Sequence, residues 1–348
     1  MKNKPFVSIL IPVFNEESFI VNCLDSIKKQ TVESDKFEVL VIDGLSTDKT
    51  RELVNSWKVK HPEIRLEIID NPEIITSCAF NEGIKRAHGD YVTLFSAHST
   101  VEPDFLEKVI ETFESHPEID ACGGVVHTTY YNVDKISRAI AYLGQHPFGV
   151  GRGMRTPSNV MEGYATAVAK ITYKKDIFNK VGLFDKNFIR NQDIDMNYRL
   201  TENGGKIWLN PNIYTTYFAR VSIIKMLKTA FYNSYFHSLF LKKHHVIPGV
   251  KYIVPLLFVL SLICFFIAGF FHNIGWWAFV GLLFLHQTIA LYSSISFWKQ
   301  NGISIVILPL LFLGLHIAYG LGLLAGVINF FIFKRKAKLL YTSVMSHI

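Results

Sequence analysis

Over roughly the first 250 residues, short apolar runs alternate with amphipathic stretches. Residues 6–11, 37–42, 65–69 and 91–95 are apolar or alternating runs of strand length, and residues 16–30, 47–58 and 76–87 lie between them. In the first of these intervals Ile20, Leu24 and Ile27 recur at helical spacing. Strands alternating with helices predict βαβ units and a mainly parallel sheet, hence an α/β fold. In such sheets ligands bind beyond the carboxyl ends of the strands, which makes the residues closing each strand the first candidates for chemistry.

After residue 250 the pattern changes. From Tyr252 to Trp298, and again from Gln300 to Phe333, there is no Asp, Glu, Lys or Arg. A bilayer core takes about 20 apolar residues per helix, so spans are predicted at 253–271, 276–296 and 303–333. The third is long enough to tilt, or to break at Pro309. Just before them Ile224, Leu227, Phe231, Tyr235 and Leu239 recur at helical spacing, with Lys225, Lys228, Lys242 and Lys243 around them. That pattern predicts an amphipathic helix in the membrane interface, facing anionic lipid headgroups. Three crossings from a cytoplasmic catalytic domain would leave Lys334-Arg335-Lys336 on the outer side, against the positive-inside bias. Either that bias is broken or one segment does not cross. The expected organisation is residues 1–220 as the catalytic domain, 221–249 as interfacial helix and linker, and 250–348 as the membrane region with a basic tail.

Composition fits an integral membrane protein. The 348 residues are 49% hydrophobic and carry a net charge of +7. The basic excess gathers near the spans rather than along an aromatic-lined groove, so no nucleic-acid role is indicated. The apolar run after Lys4 is too short for a signal peptide and ends in Asn15-Glu16-Glu17, so the globular part is expected in the cytoplasm. Cys23, Cys78, Cys122 and Cys264 show neither metal spacing nor a disulfide pattern and read as small hydrophobes.

The strand ends are polar and specific: Pro12-Val13-Phe14-Asn15-Glu16, then Asp43-Gly44-Leu45-Ser46-Thr47-Asp48, then Ser96-Ala97-His98. Together with residues 81–90 and Arg190-Asn191-Gln192-Asp193-Ile194-Asp195, these resemble the inverting family-2 glycosyltransferases of the GT-A fold. Phe148-Gly149-Val150-Gly151, Arg190-Asn191-Gln192-Asp193 and His316-Ile317-Ala318-Tyr319-Gly320 are most similar to its membrane-anchored exopolysaccharide branch, which includes succinoglycan glucosyltransferases. The resemblance covers nearly the whole chain.

It implies a set of roles. Pro12, Phe14 and Glu16 belong to the donor-binding first strand end, with Phe14 where the family stacks an aromatic on uracil. Asp43 stands where a carboxylate accepts the ring N–H of the base, in a turn whose following helix amides favour anions. Ser46 and Asn81 also fall on donor-side positions, while Thr47 and Asp48 read equally as a helix cap. Most family members hold Mn²⁺ or Mg²⁺ with an Asp-x-Asp motif. Here Ser96-Ala97-His98 takes that place, which leaves His98 as the implied metal ligand and Ser96 beside the donor. Asp193, in a Gln192-Asp193 pair at a helix start, is the implied base, taking a proton from the acceptor hydroxyl as the new bond forms. Asp195 and Arg199 follow as supports, and Arg220 offers a forked contact to phosphate.

The implied reaction moves a sugar from a nucleotide donor, expected to be uridine-linked, to a polyprenyl-diphosphate-linked saccharide, with glycan-assembly proteins as further expected partners. Two alternatives stay open on these residues. One is a synthase of polyprenyl-phosphate sugars; the other is an inactive sugar-nucleotide-binding membrane scaffold. A processive polymerase fits less well, because no Gln-x-x-Arg-Trp segment precedes the spans.

Overall fold

The computed structural model describes residues 6–130, 135–149, 160–219, 222–247, 249, 252–301 and 307–335. The chain divides into two compact units, Met1–Thr129 with Met154–Phe218, and Tyr130–Gly153 with Ala219–Ile348.

In the first unit β1 (Val7–Val13), β2 (Phe37–Asp43), β3 (Leu66–Asp70) and β4 (Tyr91–Leu94) are parallel, in the order β3-β2-β1-β4. Their intervening helices are α1 (Ile20–Lys28), α2 (Thr50–Lys60) and α3 (Thr76–Arg86). β1 and β2 are near-continuous apolar runs because both sheet faces are covered. Successive side chains of β1 go to opposite cores: Ile9 and Ile11 pack with Ile20, Leu24 and Trp57, and Leu10 packs with Phe80 and Ile84.

Beyond β4 the sheet turns antiparallel, through β5 (Ser99–Val101), α4 (Phe105–Ser115), β6 (Ala121–Tyr130), β7 (Gly163–Ala165), β8 (Ala169–Lys174) and β9 (Ile207–Ala219). β8 lies directly against β4, with Thr93 opposite Thr172. That pairing carries the start of β8 to the carboxyl end of β4. Two helices follow β8, α6 (Ile177–Val181) and α7 (Gln192–Glu202). The alternation read from the sequence gives the parallel half correctly, with element ends moved by no more than four residues. The antiparallel half carries no comparable local signal.

The second unit contains α5 (Lys135–Gln145), α8 (Ile223–His244), α9 (Val254–Gly269), α10 (Asn273–Asn301) and α11 (Ile307–Val327), which continues as a π-turn over Ile328–Ile332. Two stretches, Asn273–Ile295 and Ile307–Ile332, are long and apolar enough to cross a membrane; α9 is shorter at 16 residues. α11 does not break at Pro309. That residue sits in its first turn, where a missing N–H removes no helical bond. Outward-facing apolar side chains such as Trp277, Phe284 and Tyr292 are more than 70% exposed, a surface that suits an apolar environment or partner.

α8 packs lengthwise on α11, which the amphipathic pattern alone does not reveal. A Cβ on Gly322 would stand 2.2 Å from the Phe231 carbonyl oxygen, and one on Gly326 would stand 2.5 Å from that of Tyr235. Ser234 donates to the Tyr319 carbonyl at 2.5 Å and Lys242 to that of Phe330 at 2.7 Å. Small residues let two backbones approach where apolar side chains gain nothing over lipid. The Phe148 and His316 motifs also meet here. His316 Nε2 lies 2.7 Å from the Phe148 carbonyl, which can only accept, so its Nδ1 accepts from His286 Nε2 at 2.9 Å.

Substituting Gly322 by Leu is expected to lower the thermal unfolding midpoint in detergent by several degrees. The same change at Gly281, where a Cβ meets open space, is expected to leave it unchanged. Equal midpoints for the two variants would show that α8 and α11 do not depend on close approach.

Candidate active site

Two strand ends make the first part of the site. The segment after β1 and the turn after β2 are tied by side-chain-to-backbone bonds. Asn15 Oδ1 accepts from Thr47 N at 2.8 Å, Thr50 Oγ1 from Glu16 N at 2.7 Å, and Asp48 Oδ2 from Glu17 N at 3.1 Å. Asn15 and Leu45 both have left-handed backbones, at φ 54° and 61°. Such residues cost about 1 kcal/mol or more each and persist only where surroundings fix them. Thr47 and Asp48 therefore act as cross-loop ties, with Asp48 also accepting from Thr50 N at the start of α2.

Asp43 closes β2 with 1% exposure. One carboxylate oxygen accepts from Ser46 Oγ at 2.6 Å and the other from Arg51 at 3.1 Å, and Arg51 also reaches Asp70 at 2.6 Å. A buried carboxylate needs such partners, because an unpaired one costs several kcal/mol. Pro12 and Phe14 are half-buried beside this turn. Phe14 lies against the Cα of Gly44, where an added Cβ would come within 3.3 Å of its ring.

Glu16, buried, lies 3.3 Å from His98 Nδ1, and the His98 ring is flanked edge-on by Phe19 and Tyr217. This joins the first strand end to the Ser96-Ala97-His98 turn. Ser96 Oγ contacts Ser99 Oγ at 2.8 Å and accepts from Lys170 Nζ at 2.5 Å. Lys170 was not among the candidates read from the sequence. Its backbone is left-handed at φ 46°, its ammonium lies 4.7 Å from the centre of the Phe95 ring, and burial pushes its pKa down to about 8. No local motif announces it, since its contact spans 74 positions.

α7 carries the remaining candidates. Asn191, left-handed at φ 62°, sets the entry, and Gln192 and Asp193 open the first turn. Asp193 is exposed to solvent along its side chain, yet the protein packed around it pushes its carboxyl pKa above the ordinary range, against hydrogen bonds from the Ile194 and Asp193 amides. Asp195 is fully buried and pairs with Arg199 at 3.0 Å. Arg199 also donates to the carbonyls of Val181 and, at 2.9 Å, Leu183. These two residues brace α7 against the turn after α6.

Asn81 differs from its expected donor-side place. Its amide donates to the Phe184 carbonyl at 2.8 Å and its oxygen accepts from the Phe184 N–H at 2.9 Å. Both functions are thereby committed to the backbone. Arg220 lies outside the described residues, as do Val150 and Gly151.

The chain is 30% identical over 334 residues to a Methanococcus voltae protein, dolichyl N-acetyl-alpha-D-glucosaminyl phosphate 3-beta-D-2,3-diacetamido-2,3-dideoxy-beta-D-glucuronosyltransferase. The match spans 93% of this chain and 98% of that protein. The family model described as glycosyl transferase family 2 matches residues 8–173. The chain belongs to glycosyl transferase family 2. This family-2 glycosyltransferase is also 26% identical to the succinoglycan biosynthesis protein ExoA of Rhizobium meliloti, over 71% of the chain and 74% of that protein. Among solved structures it is similar to the mannosyltransferase PcManGT from Pyrobaculum calidifontis, determined with GDP-Man and Mn²⁺, at TM-score 0.56 and 18% identity over 93% of this chain and 88% of that one. A second likeness is to S. aureus TarS residues 1–349, at TM-score 0.50 and 15% identity, covering 71% and 68%. The sheet is that of the GT-A fold.

Asn81→Ala is expected to cost about 1–3 kcal/mol of stability, by leaving two buried backbone groups of Phe184 unpaired. Nucleotide affinity of the folded variant should be unchanged. Thermal unfolding together with calorimetric titration of UDP checks both, and weaker UDP binding at unchanged stability would return Asn81 to the donor site.

Proposed function

We propose that this glycosyltransferase inverts configuration at the sugar it transfers, from a nucleotide-sugar donor to a polyprenyl-linked saccharide held at a membrane, with Asp193 as the base. The acceptor class is taken from the relatives: the Methanococcus protein is named for a dolichyl phosphate saccharide, and the Rhizobium protein for succinoglycan biosynthesis. The two apolar helices of spanning length support placement in the membrane; the cytoplasmic face is the side assigned to the catalytic unit in this proposal.

The observation that carries the reading is Asp193. It is the carboxylate of its helix turn that remains accessible, while Asp195 is committed to Arg199. In the proposed step the acceptor hydroxyl oxygen attacks sugar C1 from the side opposite the diphosphate. The bond from C1 to the diphosphate oxygen breaks, and the hydroxyl proton passes to Asp193 Oδ. A base working near neutral pH gains from a pKa above the usual carboxylate range, which is the direction its surroundings produce.

Donor recognition is assigned to Phe14 beneath the base, to Asp43 and Ser46 at the β2 turn, and to Pro12, which shapes the strand end. Arg220 keeps its proposed contact to phosphate. For a divalent ion, Glu16 and His98 offer a carboxylate and an imidazole, a donor pair that suits Mn²⁺ better than Mg²⁺, which prefers oxygen ligands alone. Among the described residues no group of three or more His, Cys, Asp or Glu converges, so diphosphate oxygens and water would complete the shell. Bound there, the ion would supply Lewis-acid stabilisation of the departing diphosphate.

Asp193→Asn is expected to lower transfer from labelled nucleotide sugars to membrane lipid extract by about 10²–10⁴-fold, with donor binding retained. Undiminished transfer would favour a polyprenyl-phosphate sugar synthase, where the attacking phosphate has no proton to lose. Binding without transfer in the wild type would favour the scaffold.

The pH profile supplies a separate check. Only the ionised carboxylate accepts a proton, so kcat should fall as pH drops through a pKa raised above that of an ordinary aspartate. A limb at the ordinary aspartate value or lower would exclude Asp193 as the titrating base.

A further inference from the structure

Lys170 is a charged residue at the carboxyl end of β4 that neither the metal pair nor the base uses. Its ammonium donates to Ser96 Oγ at 2.5 Å, in the turn where family members place the first carboxylate of their metal motif. The Phe95 ring 4.7 Å away holds the cation from one side. Among the described residues no carboxylate pairs with it. Glu16 lies against His98, Asp43 against Arg51, and Asp195 against Arg199. The nearby Cys23 does not neutralise it either, since burial pushes that thiol up to about 12 and keeps it protonated. The left-handed backbone at Lys170 is an unfavourable conformation for a side chain of this size, retained where it aims the amine at the turn.

An aspartate at position 96 would sit within ion-pair distance of this amine and consume its charge. A serine accepts the same hydrogen bond and leaves the charge uncompensated. Without a carboxylate at position 96 the ammonium is not neutralised at this turn and remains available to an anion. Lys170 is half-buried, and the protein packed around its amine lowers its pKa to about 8, because desolvation disfavours an unpaired ammonium; an anion placed beside it would relieve that cost.

We propose that Lys170, held by Ser96, binds the diphosphate of the donor directly and supplies part of the positive charge that offsets the departing group. The proposal rests on the nucleotide-sugar reading above. It makes Lys170 a binding residue whose contribution follows the phosphates and not the base or the sugar.

The test is calorimetric titration of the purified full chain in detergent with UDP and GDP, each against its nucleoside, with Mn²⁺ and separately with chelator. Lys170→Gln is expected to weaken the bound diphosphate by about tenfold or more under both conditions, as loss of a charge-assisted hydrogen bond does. Nucleoside affinity should be unchanged, and Lys170→Arg should recover most of the loss. Lys170→Met, of similar length and no charge, repeats the measurement should the Gln variant fail to fold. Diphosphate affinity in the neutral variants within twofold of wild type would overturn the proposal while leaving the glycosyltransferase reading in place. A wild type that binds neither diphosphate would remove both.

Discussion

Charge removed from water has to be matched, and that constraint organises the carboxyl ends of this sheet. Asp43, Glu16 and Asp195 are almost wholly buried, and each has a partner: Arg51 with Ser46, His98, and Arg199. These pairs are not strong sources of net stability, because desolvation cancels much of their attraction. Their effect is geometric. Each fixes one loop against another, so the strand ends present a defined surface to a ligand.

Two charges stand outside that matching. Asp193 and Lys170 have no ion-pair partner among the described residues, and the protein packed around each displaces its pKa toward neutrality. Groups of opposite sign, left uncompensated on a common scaffold, suit a reaction in which a proton leaves one reactant and negative charge collects on another. The altered Ser96-Ala97-His98 turn then reads as an exchange of counter-charge. A carboxylate is lost, and a lysine from a different strand stands beside its replacement.

Part of the left-handed backbone lies at the same segments. Asn15, Leu45, Lys170 and Asn191 all adopt left-handed conformations at segments that position candidate site residues. Two of them, Asn15 and Leu45, adjoin side-chain-to-backbone bonds that hold them in place. In the second unit the close approach of α8 to α11 relies instead on glycine, because a helix pair of this composition gains its cohesion from backbone proximity and buried hydroxyls.

The sequence by itself determined what depends on periodicity and local chemistry. Continuous apolar strands, helical spacing after them and uncharged runs in the last hundred residues give the parallel half-sheet and the apolar helices. Asp193 was legible because a helix start and a carboxylate pair are local features. Only the tertiary structure decided how residues distant in sequence share a partner. Asn81 fell on a donor-side position, and only the fold brings the Phe184 turn to its amide; Arg199 was legible as a support, but not the carbonyls at Val181 and Leu183 that it holds. Lys170 was invisible because nothing near it in sequence distinguishes it from a surface lysine. Its meaning depends on the β4–β8 register, and strand pairing between remote segments is fixed by the packing of the whole sheet and not by the residues adjacent in the chain.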